Sequence, residues 1–219
     1  MLKVNYKKIN IKADILAVDK PQGWTSHDVT AKIRGELRKI YGEKIKVGHG
    51  GTLDPLATGL LLVLVGKTVK RFEEIKGWDK EYVMEIELGK TTDTGDSEGR
   101  VVKETISTSK VEIGQVKKAV GSFLGGYNQQ IPMYSAKKVK GKKLYQLARK
   151  GKKIKLLRKK IQINQIEVLD LQGRSLQVRV VCGSGTFMRQ LAIDIGQKLG
   201  TLAYTKNLRR IRVGQYQLN

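Results

Sequence analysis

Asp54 is the side chain best placed for chemistry in this sequence. It lies in Gly48-His-Gly-Gly-Thr-Leu-Asp-Pro-Leu-Ala-Thr-Gly-Leu-Leu-Leu-Val-Leu-Val-Gly66, a stretch whose two halves read differently. Leu60 to Val65 is short, wholly apolar and closed by Gly66, the pattern of a strand buried on both faces. Before it comes a polar, glycine-rich turn with one histidine, His49, and one carboxylate, Asp54. Pro55 fixes its own φ and pushes Asp54 toward extended backbone. A carboxylate held on a rigid turn beside a buried strand is a good place to keep a reactive group. The competing reading is an ordinary Asp-Pro turn in which Asp54 caps a backbone amide.

The elements around that turn follow from periodicity. Ala13 to Val18 alternates weakly and reads as a first strand. Asp19-Lys-Pro-Gln-Gly-Trp-Thr-Ser26 is a turn, with Ser26 expected to cap a helix. That helix carries Val29, Ile33, Leu37 and Ile40 on one face and stops at Gly42. Lys20, taken by itself, reads as a solvated turn lysine. Lys80 to Leu88 alternates with period two, Tyr82, Met84, Ile86 and Leu88 facing one way and Val83, Glu85 and Glu87 the other. Tyr82 by itself reads as a core aromatic.

A polar loop follows from Gly89 to Gly99. Its Asp93, Asp96 and Glu98 are out of register with an EF-hand, so calcium is not expected there. Ser109-Lys-Val-Glu112 has the form of a capping box, opening a helix with Ile113, Val116, Val120 and Phe123. Ile161 to Asp170 and Ser175 to Cys182 read as strands. The glycine turn after Cys182 leads into a helix with Leu191, Ile195 and Leu199 inward and Gly200 at its end. Arg189 lies near the start of that helix, where the dipole disfavours a cation. Either an anion lies nearby or the arginine is on the surface.

The charge balance is lopsided: 43 Lys and Arg against 20 Asp and Glu give +23 at pH 7. A polyanionic partner is implied, most simply nucleic acid. The excess is concentrated, with 13 Lys or Arg in the 24 residues from Lys137 to Lys160. Tyr134 and Tyr145 lie in or beside this run and offer surfaces for base stacking. Lys143 to Lys150 reads as a short helix. One cysteine, Cys182, excludes an intrachain disulfide, and with two histidines a zinc site is not expected. No apolar run reaches bilayer length and the N-terminus has no signal-peptide pattern, so a cytoplasmic protein without membrane contact is expected.

Several motifs, in order along nearly the whole chain, resemble the TruB-type pseudouridine synthases. They are Asp19-Lys-Pro-Gln-Gly-Trp-Thr-Ser26, Gly51-Thr-Leu-Asp-Pro-Leu-Ala-Thr-Gly-Leu-Leu61, Lys80-Glu-Tyr82, Thr92-Asp-Thr-Gly-Asp96, Gly185-Thr-Phe-Met-Arg189 and Leu208-Arg-Arg-Ile-Arg-Val-Gly-Gln-Tyr216. Phe187 stands where the family usually has Tyr. The resemblance implies an α/β fold of the α+β type, with a mixed, largely antiparallel sheet, flanking helices and a central catalytic cleft. Residues 1–219 would form one catalytic domain with an RNA-gripping insertion at about 127–158.

It further implies isomerisation of uridine to pseudouridine in the T loop of tRNA, at position 55, by base flipping and an aspartate nucleophile. Asp54, Tyr82 and Arg189 would be catalytic. Lys20, His49, Tyr134, Lys137, Lys138, Lys142, Lys143 and Arg149 would contact RNA. No cofactor or metal is expected, and a monomer would need no protein partner. The chain end at Asn219 is expected to mean that the family's small C-terminal RNA-binding domain is lacking. Two alternatives are a non-catalytic tRNA-binding or tRNA-folding module and a guide-RNA-dependent relative acting on ribosomal RNA.

Overall fold

The computed structural model describes residues 2–105, 112–135, 137–139, 141–144, 146 and 157–218. The chain gathers into two compact units, Met1–Val83 with Leu208–Asn219, and Met84–Asn207. Strands β4 (Lys80–Leu88) and β12 (Ala203–Val213) each contribute residues to both.

In the first unit β1 (Ala13–Lys20) and β2 (Val47–His49) both pair antiparallel with β3 (Thr58–Gly66). The C-terminal part of β12 runs parallel to the start of β3, Arg209 opposite Thr58 and Arg210 opposite Gly59. β13 (Tyr216–Gln217) folds back on β12. All six residues from Leu60 to Val65 are buried, as the unbroken apolar run requires. Leu60, Leu62 and Leu64 form a core with Ile75 of helix α2 (Phe72–Gly77) and Val213, closed by Trp78 stacked on Tyr216 at 6.0 Å.

Helix α1 (Ser26–Tyr41) buries Val29, Ile33 and Leu37 and ends at Gly42 in the left-handed conformation. Ile40, expected on the same face, is 43% exposed. The cap is Thr25, not Ser26: its hydroxyl accepts from Asp28 N–H while Asp28 accepts from Thr25 N–H. Ser26 is one residue inside the helix because its hydroxyl is bonded elsewhere, as described below.

In the second unit the strand order is β4, β11 (Ser175–Cys182), β10 (Arg158–Gln172), β7 (Gly125–Gln130). β10 and β11 form a hairpin through Gly173, φ +58°. The inward alternation of β4 and β11 is as expected: Met84, Ile86, Leu176, Val178 and Val180 are fully buried. β10 outruns the expected strand at both ends, because its N-terminal part also pairs with β7 and Leu171 and Gln172 continue the pairing with β11. Two small hairpins are β5 (Lys90–Thr92) with β6 (Val101–Glu104), and β8 (Lys138–Val139) with β9 (Lys142–Lys143).

Helix α3 (Ile113–Gly121) starts after Glu112, which makes no side-chain cap. Ser109, proposed to open it, lies outside the described residues. Phe123 falls beyond the helix end. Helix α4 (Met188–Lys198) buries Leu191 and Ile195, with Leu199 half-buried at its end. Antiparallel pairing dominates and β3 with β12 is parallel, so the expected mixed, largely antiparallel α/β fold is met. Among the described residues no helix is long and apolar enough to cross a membrane.

Candidate active site

The turn bearing Asp54 is held at nearly every residue. Gly50 N–H donates to Leu62 O at 2.8 Å, and Ala57 N–H to the main-chain oxygen of Asp54 at 3.1 Å. Ser26 Oγ donates to Leu53 O at 3.1 Å and accepts from Leu53 N–H at 2.8 Å. The first turn of α1 is thereby fastened to the residue before Asp54, which is why Thr25 and not Ser26 caps the helix. Pro55 O accepts from Gly23 N–H at 2.9 Å.

Two buried cations complete the frame. Lys20 is fully buried, and Nζ donates to the carbonyls of Pro21 at 2.9 Å, Trp24 at 2.5 Å and Pro55 at 3.2 Å. The reading of Lys20 as a solvated lysine is therefore corrected. The ammonium is turned to main-chain carbonyls in the interior of the first unit. The carbonyls replace the water that burial removes. Arg210, 2% exposed, donates Nε to Leu60 O at 2.7 Å, Nη2 to Gly51 O at 3.1 Å and Nη1 to Thr52 O at 3.5 Å. Opposite it, Gly59 has φ +96°, and a Cβ there would meet Arg210 O at 2.2 Å, so only glycine admits the two strands at this spacing.

His49 ends β2, just before the turn. Burial, and then Arg210 and His27, hold its imidazole below the ordinary histidine range. A neutral ring suits contact with a base better than with a phosphate. Tyr82 is buried on β4, preceded by Lys80, whose ammonium donates to the carbonyls of Lys76 and Trp78.

In the second unit, Arg189 is the second residue of α4 and is buried. An anion was inferred near it, and Asp96 supplies one: Oδ2 lies 3.5 Å from Nε. Its other nitrogens donate to Thr94 O at 2.8 Å and Tyr134 O at 2.7 Å. Asp96 is itself buried and ordered by Thr94 Oγ1, which donates to it at 2.5 Å, and by Glu98 N–H at 3.1 Å. The loop weighed for calcium instead buries a carboxylate for an arginine. The start of α4 is also pinned by Gln129, which donates to Phe187 O at 3.0 Å and accepts from Phe187 N–H at 2.8 Å.

The TruB family pseudouridylate synthase (N terminal domain) model matches residues 38–188. The chain belongs to that family. The matched stretch takes in Asp54 and Tyr82 and ends one residue before Arg189. Among relatives of this TruB-family chain, the tRNA pseudouridine synthase B of Phocaeicola vulgatus is 42% identical over 216 residues, covering 98% of this chain and 90% of that protein. The tRNA pseudouridine synthase B of Dehalococcoides mccartyi is 44% identical over 205 residues, covering 93% and 66%. A solved Cbf5-Nop10-Gar1 complex contains a chain with TM-score 0.71 and 28% identity, matched over 99% of this chain and 53% of that one. An H/ACA RNP bound to a substrate RNA containing 2'-deoxyuridine gives TM-score 0.68 at 27% identity, with 98% and 53% coverage. The chain thus spans about half the length of these two solved chains.

Asp54, Tyr82, Lys20 and His49 of this TruB-family chain belong to the first unit, and Arg189 and Tyr134 to the second. Tyr134 is half-buried and holds Arg189 through its carbonyl; Lys137 is exposed. Lys138 and Lys143 face each other across the β8–β9 hairpin, and Lys142 is beside them. Lys143, expected to start a helix, is therefore a strand residue with Lys142, because Gly141 turns the chain back at φ +77°. Helical backbone begins at Leu144. Tyr145 and Arg149 lie outside the described residues. Arg210 and Asp96 were not named from sequence as site residues. Their signal was present, one arginine of the Arg209-Arg210-Ile211-Arg212 run and a short Thr-Asp-Thr-Gly-Asp loop, but without the pairing partner neither has an evident task.

Proposed function

We propose that the protein converts uridine to pseudouridine in the T loop of tRNA, at position 55. The observation that carries this reading is the clamped turn: in a chain of the TruB family, Asp54 sits on a backbone fixed on both sides by Ser26, Lys20 and Arg210. Similarity to proteins named tRNA pseudouridine synthase B supports tRNA as the substrate.

The reaction breaks the bond between ribose C1′ and uracil N1, turns the base and joins C1′ to C5, with loss of the C5 proton and protonation of N1. The target leaves its stack to be reached. Asp54 is the nucleophile. Arg189 is the cationic catalytic residue, held in place by Asp96. Tyr82 stacks on the uracil and assists removal of the C5 proton. His49, neutral, contacts the opened loop. Tyr134, Lys137, Lys138, Lys142, Lys143 and Arg149 grip the RNA, and both units act as one cytoplasmic, monomeric catalytic domain without a cofactor.

Incubation with a tRNA transcript, followed by carbodiimide mapping and mass spectrometry, tests this. Pseudouridine at position 55 without added guide RNA or protein is expected. Its absence, or its formation only with a guide RNA, would overturn the reading.

A further inference from the structure

The Gly66 end of β3 opens into a concavity of about 560 Å³, wholly within the first unit. Three chain segments form it: residues 11–12 before β1, 43–46 between α1 and β2, and 66–70 after β3. They bring Lys12, Lys44, Lys46, Lys67 and Lys70 to one depression, with Glu43 the acidic residue of its lining. All five lysines are exposed. Among the described residues none of the five forms a salt bridge. Other exposed cations of the same unit are mixed in this respect. Lys32 and Lys39 pair with Glu36, Arg71 with Glu74 and Lys76 with Glu73, whereas Lys3, Lys7, Lys8 and Arg38 form no salt bridge among the described residues; of these unpaired cations, only the five lysines of the depression line one concavity.

The depression is built into the backbone. Gly66 N–H donates to Lys46 O and Lys67 N–H to Lys12 O, both at 2.8 Å. Gly66 has φ +65°, and a Cβ there would lie 2.3 Å from Lys12 O, so the three segments cannot be joined this way with another residue. Five like charges held together by main-chain bonds repel one another, and a polyanion relieves that repulsion.

We propose that this concavity is a second docking surface, taking the phosphate backbone of the substrate RNA at a point remote from the reacting nucleotide; the proposal rests on the functional reading above. Two features select backbone over bases. The lining has neither an aromatic ring for stacking nor an arginine fork for base edges, whereas lysine point charges serve sequence-independent phosphate contact. Thr58 and Gly66 are eight strand steps apart, about 26 Å at roughly 3.3 Å per residue. The bound phosphate is therefore assigned to a part of the RNA away from the nucleotide at Asp54, beyond the segment contacted by His49, which pairs with Val63 three strand steps back from Gly66.

The test replaces Lys44, Lys46, Lys67 and Lys70 together by Gln, and in a second protein by Arg. Affinity is measured across a salt series for full-length tRNA and for an isolated T-arm hairpin, with melting midpoints to confirm folding. For full-length tRNA the Gln variant should lose about 0.7 to 0.9 in salt slope per contact removed, roughly 3 to 4 in all for four contacts. Hairpin affinity and single-turnover conversion at saturating tRNA should hold, and the Arg variant should keep the wild-type slope. An unchanged slope in the Gln variant, an equal loss with the hairpin, or an Arg variant as weak as the Gln one would each overturn the proposal. Wild-type protein that binds tRNA with the full slope yet forms no pseudouridine would sink the functional reading alone.

Discussion

Lys20 and Arg210 lie inside the first unit, whereas Lys44, Lys46, Lys67 and Lys70 lie on its surface, and the two groups contribute equally to the +23 charge per residue. The interior pair is enclosed by carbonyls from the catalytic turn and its neighbours. Removing either would leave buried acceptors without a donor, at about 1 to 3 kcal/mol for each group. The surface lysines keep their hydration, and any one of them is replaceable. Net charge therefore says that a polyanion is the partner but does not say which cations meet it. Cations that shape the site and cations that face RNA differ in burial, not in residue type.

Asp54→Asn separates the two roles most sharply. The amide keeps the shape, so the clamped turn should hold and tRNA affinity should stay within about threefold, because binding rests on phosphate contacts elsewhere. Single-turnover conversion should fall by more than about a thousandfold. A capping aspartate would tolerate the change almost without loss, so substantial residual conversion, in protein checked by mass for deamidation, would remove Asp54 from the chemistry.

Arg210→Met attacks the frame instead of the nucleophile. Three carbonyls lose their donor, and stability should drop by about 2 to 4 kcal/mol, read as a lower urea midpoint. The single-turnover rate should fall with it, while the salt slope for tRNA stays unchanged. Arg210→Lys keeps the charge but not the fork and should recover only part of either loss. An Arg210→Met protein as stable and active as wild type would show that the interior cations are not what holds the turn.

The smallest effect concerns a cation between these extremes. Lys206 is 43% exposed on its side chain and pairs with Glu85 at 2.9 Å. That contact, then Asn207 and Ser175, holds the Glu85 carboxyl down to about 2, from an ordinary 4.5. A depressed folded-state value means the contribution is complete above about 4.5 and fades as pH falls toward 2. The difference in urea midpoint between wild type and Glu85→Gln should therefore shrink over that window. A difference independent of pH would mean that the carboxylate charge plays no part.

Strand β3 was legible because an unbroken apolar run of six has one stable environment. β4 and β11 were legible because alternation repeats over eight or nine residues. The capping residue of α1 was misplaced by one, since Ser26 and Thr25 are equivalent locally and only Leu53, 27 positions away, distinguishes them. Lys143, the last residue of the β8–β9 hairpin, was read as the start of a helix because lysine has no strong preference between strand and helix and Gly141 alone carried the turn.

Asp54 and Arg189 stood out in the sequence because each lies in or just after a short glycine or proline turn, whereas Tyr82, by itself a core aromatic, was singled out only by the resemblance to the TruB family. Lys20, Arg210 and Asp96 acquired their tasks only in the folded chain. Arg210 reaches Gly51 across 159 positions and Lys20 reaches Pro55 across 35. A buried charge is defined by the groups that replace its water, and those groups are assembled by tertiary structure. Periodicity determines which face of a strand or helix turns inward; the solvation of a cation is decided only when distant carbonyls and carboxylates close around it.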